Sequence, residues 1–187
     1  IYKKGKSMAT QAEKGQAFRA LHEGKNAFII PNPWDIGTAR LLAHLGFQAL
    51  ATTSAGFAFS SGRPDFCIGR ERMMAHVAQI VSATELPVSA DLENGFGDDP
   101  DTVAETIRMG AAAGLVGGSI EDATNRPDAP IYEFELAVER IRAAAQAARS
   151  LPFPFVLTAR AENHLNGRPD LADTIKRLQA YQEAGAD

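Results

Sequence analysis

Two acids close an apolar run at Val88-Ser89-Ala90-Asp91-Leu92-Glu93, and a Gly95-Phe96-Gly97 turn leads out of it. Read as a strand, the run puts Ser89, Asp91 and Glu93 on one face and Ala90 and Leu92 on the other. Two later runs repeat the pattern. Val116-Gly117-Gly118-Ser119-Ile120-Glu121-Asp122 offers Ser119 and Glu121, and Phe155-Val156-Leu157-Thr158-Ala159-Arg160-Ala161-Glu162 offers Thr158, Arg160 and Glu162. If the three strands are neighbours, several carboxylates and one arginine meet in one mouth. Unpaired charges do not stay dry, so such a cluster calls for a cation, an anionic ligand, or both. Every candidate ligand is an oxygen, and no His or Cys falls at metal spacing, which favours Mg²⁺ or Mn²⁺ over zinc. The plainer alternative is a closed salt-bridge network of Arg160 with Glu121 or Glu162.

Weaker candidates surround this set. Ser54-Ala55-Gly56 in a glycine-bearing loop offers backbone N–H groups to an oxyanion, or is an ordinary turn. Asp65, after Arg63-Pro64, is a helix cap or a site acid. His22, His44 and His76 fall within expected helices as surface or packing residues, and His164 follows the Arg160 strand. Trp34 and Asp35 either line the mouth or staple the following helix. Cys67, the one cysteine, excludes an intramolecular disulfide framework and a cysteine-cluster zinc site, and reads as a buried small apolar residue.

The elements that must position these residues alternate. Strands are expected at Ala27–Ile30, Ala49–Thr53, Val88–Glu93, Val116–Asp122 and Phe155–Glu162, and each is followed by a helical pattern. Met73, Val77, Ile80 and Val81 share a helix face, as do Val103, Ile107 and Ala111, and Val138, Ile141, Ala145 and Ala148. Asp99 and Pro100 mark a helix start directly after the Asp91 strand. About five β-then-α units with right-handed crossovers imply a parallel sheet, either doubly wound or closed into a barrel. Neither a Gly-x-Gly-x-x-Gly fingerprint nor a Walker loop occurs, while polar residues sit at the ends of the strands. That favours a (β/α)₈ TIM-type barrel with its chemistry at the C-terminal mouth.

With 187 residues, 45% hydrophobic and 22% charged, the chain reads as a single domain able to bury a core. The net charge of −4 argues against a nucleic-acid surface, and no run approaches the ~18 apolar residues of a membrane span. The single cysteine is compatible with a reducing cytoplasm. Residues 1–7 precede Met8 and look like a remnant ahead of a natural start, leaving 8–187 as the barrel domain. Glu183-Ala184-Gly185 resembles the helix ends that elsewhere lead at once into a strand, so a chain truncated or partly observed before its last strands is expected.

Taken together, Thr52-Thr53-Ser54-Ala55-Gly56, Gly62-Arg63-Pro64-Asp65, Ala90-Asp91-Leu92-Glu93-Asn94-Gly95-Phe96-Gly97, Ile120-Glu121-Asp122 and Ala159-Arg160-Ala161-Glu162 resemble the isocitrate lyase and phosphoenolpyruvate mutase superfamily. The resemblance implies a (β/α)₈ barrel, usually a homotetramer that exchanges a C-terminal helix, acting in the cytoplasm on a small 2-oxo or 2-hydroxy carboxylate. It also implies roles. Asp91 is the principal Mg²⁺ ligand, with Glu93 and Glu121 holding the ion directly or through water. Ser54, Ala55 and Gly56 grip the substrate, Arg160 faces its carboxylate, and Asp65 lies close to the reacting centre. The implied chemistry makes or breaks a bond next to a 2-oxo acid through a stabilised enolate. One departure narrows this. The Lys-Lys-Cys-Gly-His segment of isocitrate and methylisocitrate lyases is replaced by Ala123-Thr124-Asn125-Arg126-Pro127-Asp128, and of the lysine and asparagine that the mutase branch places in this loop the lysine is missing and only Asn125 stands in. A magnesium-dependent carbon–carbon lyase of a less specialised branch is therefore expected. A carbon–phosphorus enzyme and a catalytically silent 2-oxo acid-binding barrel are the alternatives.

Overall fold

The computed structural model describes residues 9–187; the expected start at Met8 and the leader at 1–7 lie outside the described residues. Helix α1, Gln11–His22, opens with a capping box in which Glu13 accepts from the Thr10 N–H at 2.7 Å while Thr10 caps Glu13. Its Phe18 is buried against Ala49, Val116 and Val156, so α1 lies under the N-terminal end of the sheet. Helix α2, Ile36–His44, starts at Asp35, whose carboxylate accepts from the Thr38 N–H at 2.7 Å. Asp35 is thus a cap.

Four strands follow: β1 (Leu50–Ala51), β2 (Val88–Asp91), β3 (Gly117–Glu121) and β4 (Val156–Arg160). They are parallel and lie in the order β1-β2-β3-β4. A doubly wound sheet reverses its strand order at a switch point; this one runs in sequence, as the wall of a (β/α) barrel does. The intervening helices are α3 (Ser54–Ser60), α4 (Arg70–Ser82), α5 (Pro100–Ala112) and α6 (Phe134–Arg149), and α7 (Leu171–Glu183) follows β4. Met73, Val77 and Ile80 of α4, Val103 and Ile107 of α5, and Ile141 and Ala144 of α6 are buried in one core with Leu92, Ile120 and Leu157. The helical spacing of these residues thus marks the faces that meet the sheet.

Two expectations need correction. Ala27–Ile30 forms no strand. The segment runs beside β1 and is tied to it by one backbone bond, from the Ala51 N–H to the Pro31 carbonyl at 3.1 Å. Pro31 and Pro33 have no N–H to extend a ladder, so four of the five expected strands form. The second concerns Ser54-Ala55-Gly56, which belongs to the first turn of α3 rather than to a loop. The Thr53 side chain caps that turn by accepting from the Gly56 N–H at 3.2 Å.

Candidate active site

The register sets the inward rows. Asp91 pairs with Ser119, Ser119 with Thr158, and Glu121 with Arg160. Ser89, Asp91, Ser119, Glu121, Thr158 and Arg160 all line one cavity of about 620 Å³ at the C-terminal end of the strands. The period-2 reading therefore places these side chains correctly. Glu93 is different, because β2 stops at Asp91 and Glu93 lies in the turn beyond it with φ 51°.

Arg160 is the hub. Its Nε and Nη2 each reach Glu162 Oε1 at 2.8 Å, Nη2 lies 3.3 Å from Glu121 Oε2, and Nη1 lies 3.6 Å from Asp91 Oδ1. The salt-bridge network considered from sequence is thus present, with three carboxylates sharing one cation. Asp91 is held from both sides. Its Oδ2 accepts from the Ser54 N–H at 3.1 Å and the Ser54 hydroxyl at 2.9 Å, and its Oδ1 accepts from the Glu93 N–H at 3.1 Å. Behind the site, buried Asp122 accepts from Arg177, from the Tyr181 hydroxyl at 2.7 Å and from the Glu162 N–H at 2.8 Å. This pins the Glu162 turn to α7.

One guanidinium does not balance the acids. Burial, only partly opposed by Arg160, and the neighbouring carboxylates push Glu121 up to about 8. Burial, with Asp65 and Asp91 adding repulsion, pushes Glu93 up to about 7. Glu93 Oε1 is buried and has no hydrogen-bond partner. An all-oxygen, electron-rich set with an orphaned carboxylate oxygen suits a hard divalent cation. Among the described residues, no three His, Cys, Asp or Glu side chains form a ready-made cage. Mg²⁺ does not require one, since it keeps several waters and takes only one or two carboxylates directly.

Asp65 lines the cavity and accepts from the Phe66 N–H at 3.0 Å, in a turn where Phe66 has φ 61°. Ala55 lines it as well, and by its place in the first turn of α3 its N–H has no acceptor within the helix. Gly56 is required by a close approach: a Cβ there would meet Trp34 Nε1 and Thr53 Cγ2, each at 2.6 Å. Trp34 therefore packs behind the Ser54 turn.

Several lining residues escaped the sequence reading. Phe18 and His22 form the floor, with the His22 ring edge-on to Phe18 and Phe28, and Leu165 and Asn166 lie near Glu162. Asn125, with φ 62°, lines the cavity from the 123–131 loop, whose ends meet through an antiparallel bridge between Ala123 and Ile131. His164 is exposed, and so is Cys67, contrary to the expected burial, whereas His76 is buried, stacked on Phe57 with ring centres 3.8 Å apart. No helix among the described residues is long and apolar enough to cross a membrane.

Comparison with known proteins agrees with this geometry. The profile of the phosphoenolpyruvate phosphomutase family matches residues 18–187. A 2-methylisocitrate lyase of Escherichia coli (strain K12) is 34% identical over 181 residues, covering 92% of this chain and 60% of that protein. A crystal structure from Burkholderia cenocepacia J2315, provisionally described as a lyase/mutase, has a TM-score of 0.93 and 68% identity over 95% of this chain and 63% of its own. A phosphonopyruvate hydrolase solved with oxalate and Mg²⁺ has a TM-score of 0.86 and 28% identity over 93% of this chain and 61% of its own. The chain thus spans about three-fifths of the length of these relatives.

Proposed function

The chain belongs to the phosphoenolpyruvate phosphomutase family, and we propose that it works as a Mg²⁺-dependent lyase on a small 2-oxo or 2-hydroxy carboxylate, making or breaking the adjacent carbon–carbon bond through an enolate. The observation that carries this reading is the convergence of Asp91, Glu121 and Glu162 on Arg160 in one cavity, with Glu93, in the turn just beyond Asp91, keeping a buried carboxylate oxygen without a partner. Asp91, Glu93 and Glu121 would hold the cation, which supplies positive charge for an oxygen that becomes anionic.

The chain's own groups supply the rest. Arg160, 37% exposed, keeps donor capacity at Nη1 and faces a substrate carboxylate with its positive charge. The Ala55 N–H, beside Ser54 and Gly56, donates to a second substrate oxygen. Ser54 orients Asp91 by donating to it twice. Asp65 stands at the reacting end of the cavity, close enough to Glu93 to raise its proton affinity. Phe18 gives the cavity an apolar floor, and Leu165 lies at its exposed rim.

A carbon–phosphorus reading has one observation in its favour, the likeness to the phosphonopyruvate hydrolase. A ³¹P spectrum that leaves phosphonopyruvate unchanged while a 2-oxo or 2-hydroxy dicarboxylate is cleaved would decide for the lyase. A homotetrameric assembly in the cytoplasm belongs to the same proposal, and sedimentation of the protein reads the first part of it. The direct test of function is turnover of a panel of such carboxylates with and without Mg²⁺, repeated with Asp91→Ala. Metal-dependent cleavage that the substitution abolishes supports the lyase, and cleavage that survives it refutes the reading.

A further inference from the structure

Arg140 is 1% exposed, yet it lies on α6 among Ala137, Val138, Ile141 and Ala144, where the helical pattern calls for an apolar side chain. Its charge is met by backbone carbonyls. Nη1 donates to Gly97 at 2.5 Å and to Asp98 at 2.6 Å, and Nη2 donates to Asn94. Its guanidinium lies over the Tyr132 ring, 3.9 Å from the centroid. That tyrosine's hydroxyl donates to Asp98 at 2.6 Å and accepts from the Asn94 amide at 3.1 Å. From α5, Thr106 donates to the Gly95 carbonyl at 2.7 Å.

The turn so gripped contains Glu93 at φ 51°, Gly95 at φ 79° and Phe96 at φ 62°. Two non-glycine residues in the left-handed region persist only where the surroundings over-determine them. The Glu93 backbone is fixed at the other side, its N–H to Asp91 and its carbonyl accepting from the Glu121 N–H at 3.0 Å. Arg140 does not line the cavity, and among the described residues its hydrogen bonds go to backbone carbonyls rather than to a carboxylate.

We infer that Arg140 is the positioning residue of the site: by clamping the carbonyls of Asn94, Gly97 and Asp98 over Tyr132, it forces the Glu93 turn and keeps the Glu93 carboxylate where it is buried and unpartnered. This rests on the reading of the cavity as a divalent-cation site. Lysine at position 140 is too short, and its ammonium lacks the planar fork that spans three carbonyls. Tyr132→Phe removes the two hydroxyl bonds while leaving the ring under Arg140.

The test measures Mn²⁺ affinity by electron paramagnetic resonance, with oxalate present, on the full chain and on Arg140→Lys, Tyr132→Phe, Glu93→Gln, the two double variants with Glu93→Gln, and Ile80→Ala as a core truncation remote from the turn. Circular dichroism confirms folding, and Tyr132→Phe carries the test if Arg140→Lys does not fold. Loss of such an outer partner costs 10–100-fold in metal affinity. Arg140→Lys or Tyr132→Phe should therefore weaken Mn²⁺ about tenfold or more with Glu93 present and less than about twofold in the Glu93→Gln background. Ile80→Ala should leave the affinity within about twofold. Equal losses in both backgrounds, or no loss in either, overturn the inference while the cation site stands. Absence of Mn²⁺ binding by the unsubstituted chain overturns both.

Discussion

Ser54 donates twice to one oxygen of Asp91, from its backbone N–H at 3.1 Å and its hydroxyl at 2.9 Å. The contact joins the first turn of α3 to the end of β2, so the segment assigned to substrate and the acid assigned to the cation move together. It also means that the Ser54 N–H is committed to Asp91 and leaves Ala55 as the open donor.

Ser54→Ala removes the hydroxyl bond and keeps the backbone one. A hydrogen bond to a charged group contributes about 1.5–3 kcal/mol, and losing an orienting partner weakens a metal site about 10–100-fold. Calorimetric titration with Mg²⁺ and oxalate should show that loss of affinity. Unchanged affinity would mean that Asp91 needs no orientation from Ser54.

Glu121 gives a pH signature. Its proton is held up to about 8 in the folded chain against an ordinary 4.5, as burial dictates, and Glu93 behaves alike up to about 7. Between those values the folded state binds more protons than the unfolded one, so stability is full below about 4.5 and falls as pH rises toward 8. His76, lowered by burial, acts in the opposite sense, but only below its ordinary 6.5. The metal-free protein should therefore lose several degrees of Tm between pH 6.5 and 8.5, at about 2–4 °C per kcal/mol for a domain of this size. Glu121→Gln should flatten the slope. An equal slope in both proteins would place the titration elsewhere.

Gly56→Ala drives a methyl group into Trp34 and Thr53. Overpacking of this kind costs about 1–3 kcal/mol. Because Trp34 is the only tryptophan, its fluorescence should shift as the melting temperature drops. A normal spectrum and Tm would show that the Trp34 contact yields freely.

Asp122→Ala takes from buried Arg177 the buried one of its two carboxylates, leaving the more exposed Asp173, and frees the Tyr181 hydroxyl and the Glu162 N–H. Breaking one side of a buried pair costs about 3–5 kcal/mol, and the loss should appear in thermal melts. A loss below about 1 kcal/mol, the scale of an exposed pair, would contradict the burial assigned to this anchor.

Alternation along β2, β3 and β4 exposed the inward set in advance, because a side-chain period of two needs only the strand position. The brevity of β1, two residues within the expected Ala49–Thr53, and the failed strand at Ala27–Ile30 were not legible. An apolar run reads the same whether or not a neighbouring ladder exists to pair with it, and prolines 31 and 33 decide against pairing here. Ser54 to Gly56 looked like a loop because glycine and serine are poor helix formers, yet the Thr53 cap starts a helix there. Arg140 and Tyr132 were missed because their partners are carbonyls far along the chain. The available signal was a charged residue inside the apolar stripe of α6. His22 and Phe18 reach the cavity floor only through the docking of α1, which no local pattern encodes.

The role proposed for the acid cluster is cation-dependent binding of a small 2-oxo acid or its enolate. Calorimetric titration of the full chain with oxalate, with and without Mg²⁺ and repeated on Asp91→Ala, tests it most directly. Binding should require both the ion and Asp91. Oxalate binding that ignores Mg²⁺, or that survives Asp91→Ala unchanged, would contradict it, and the Arg160 network would then be a structural salt bridge.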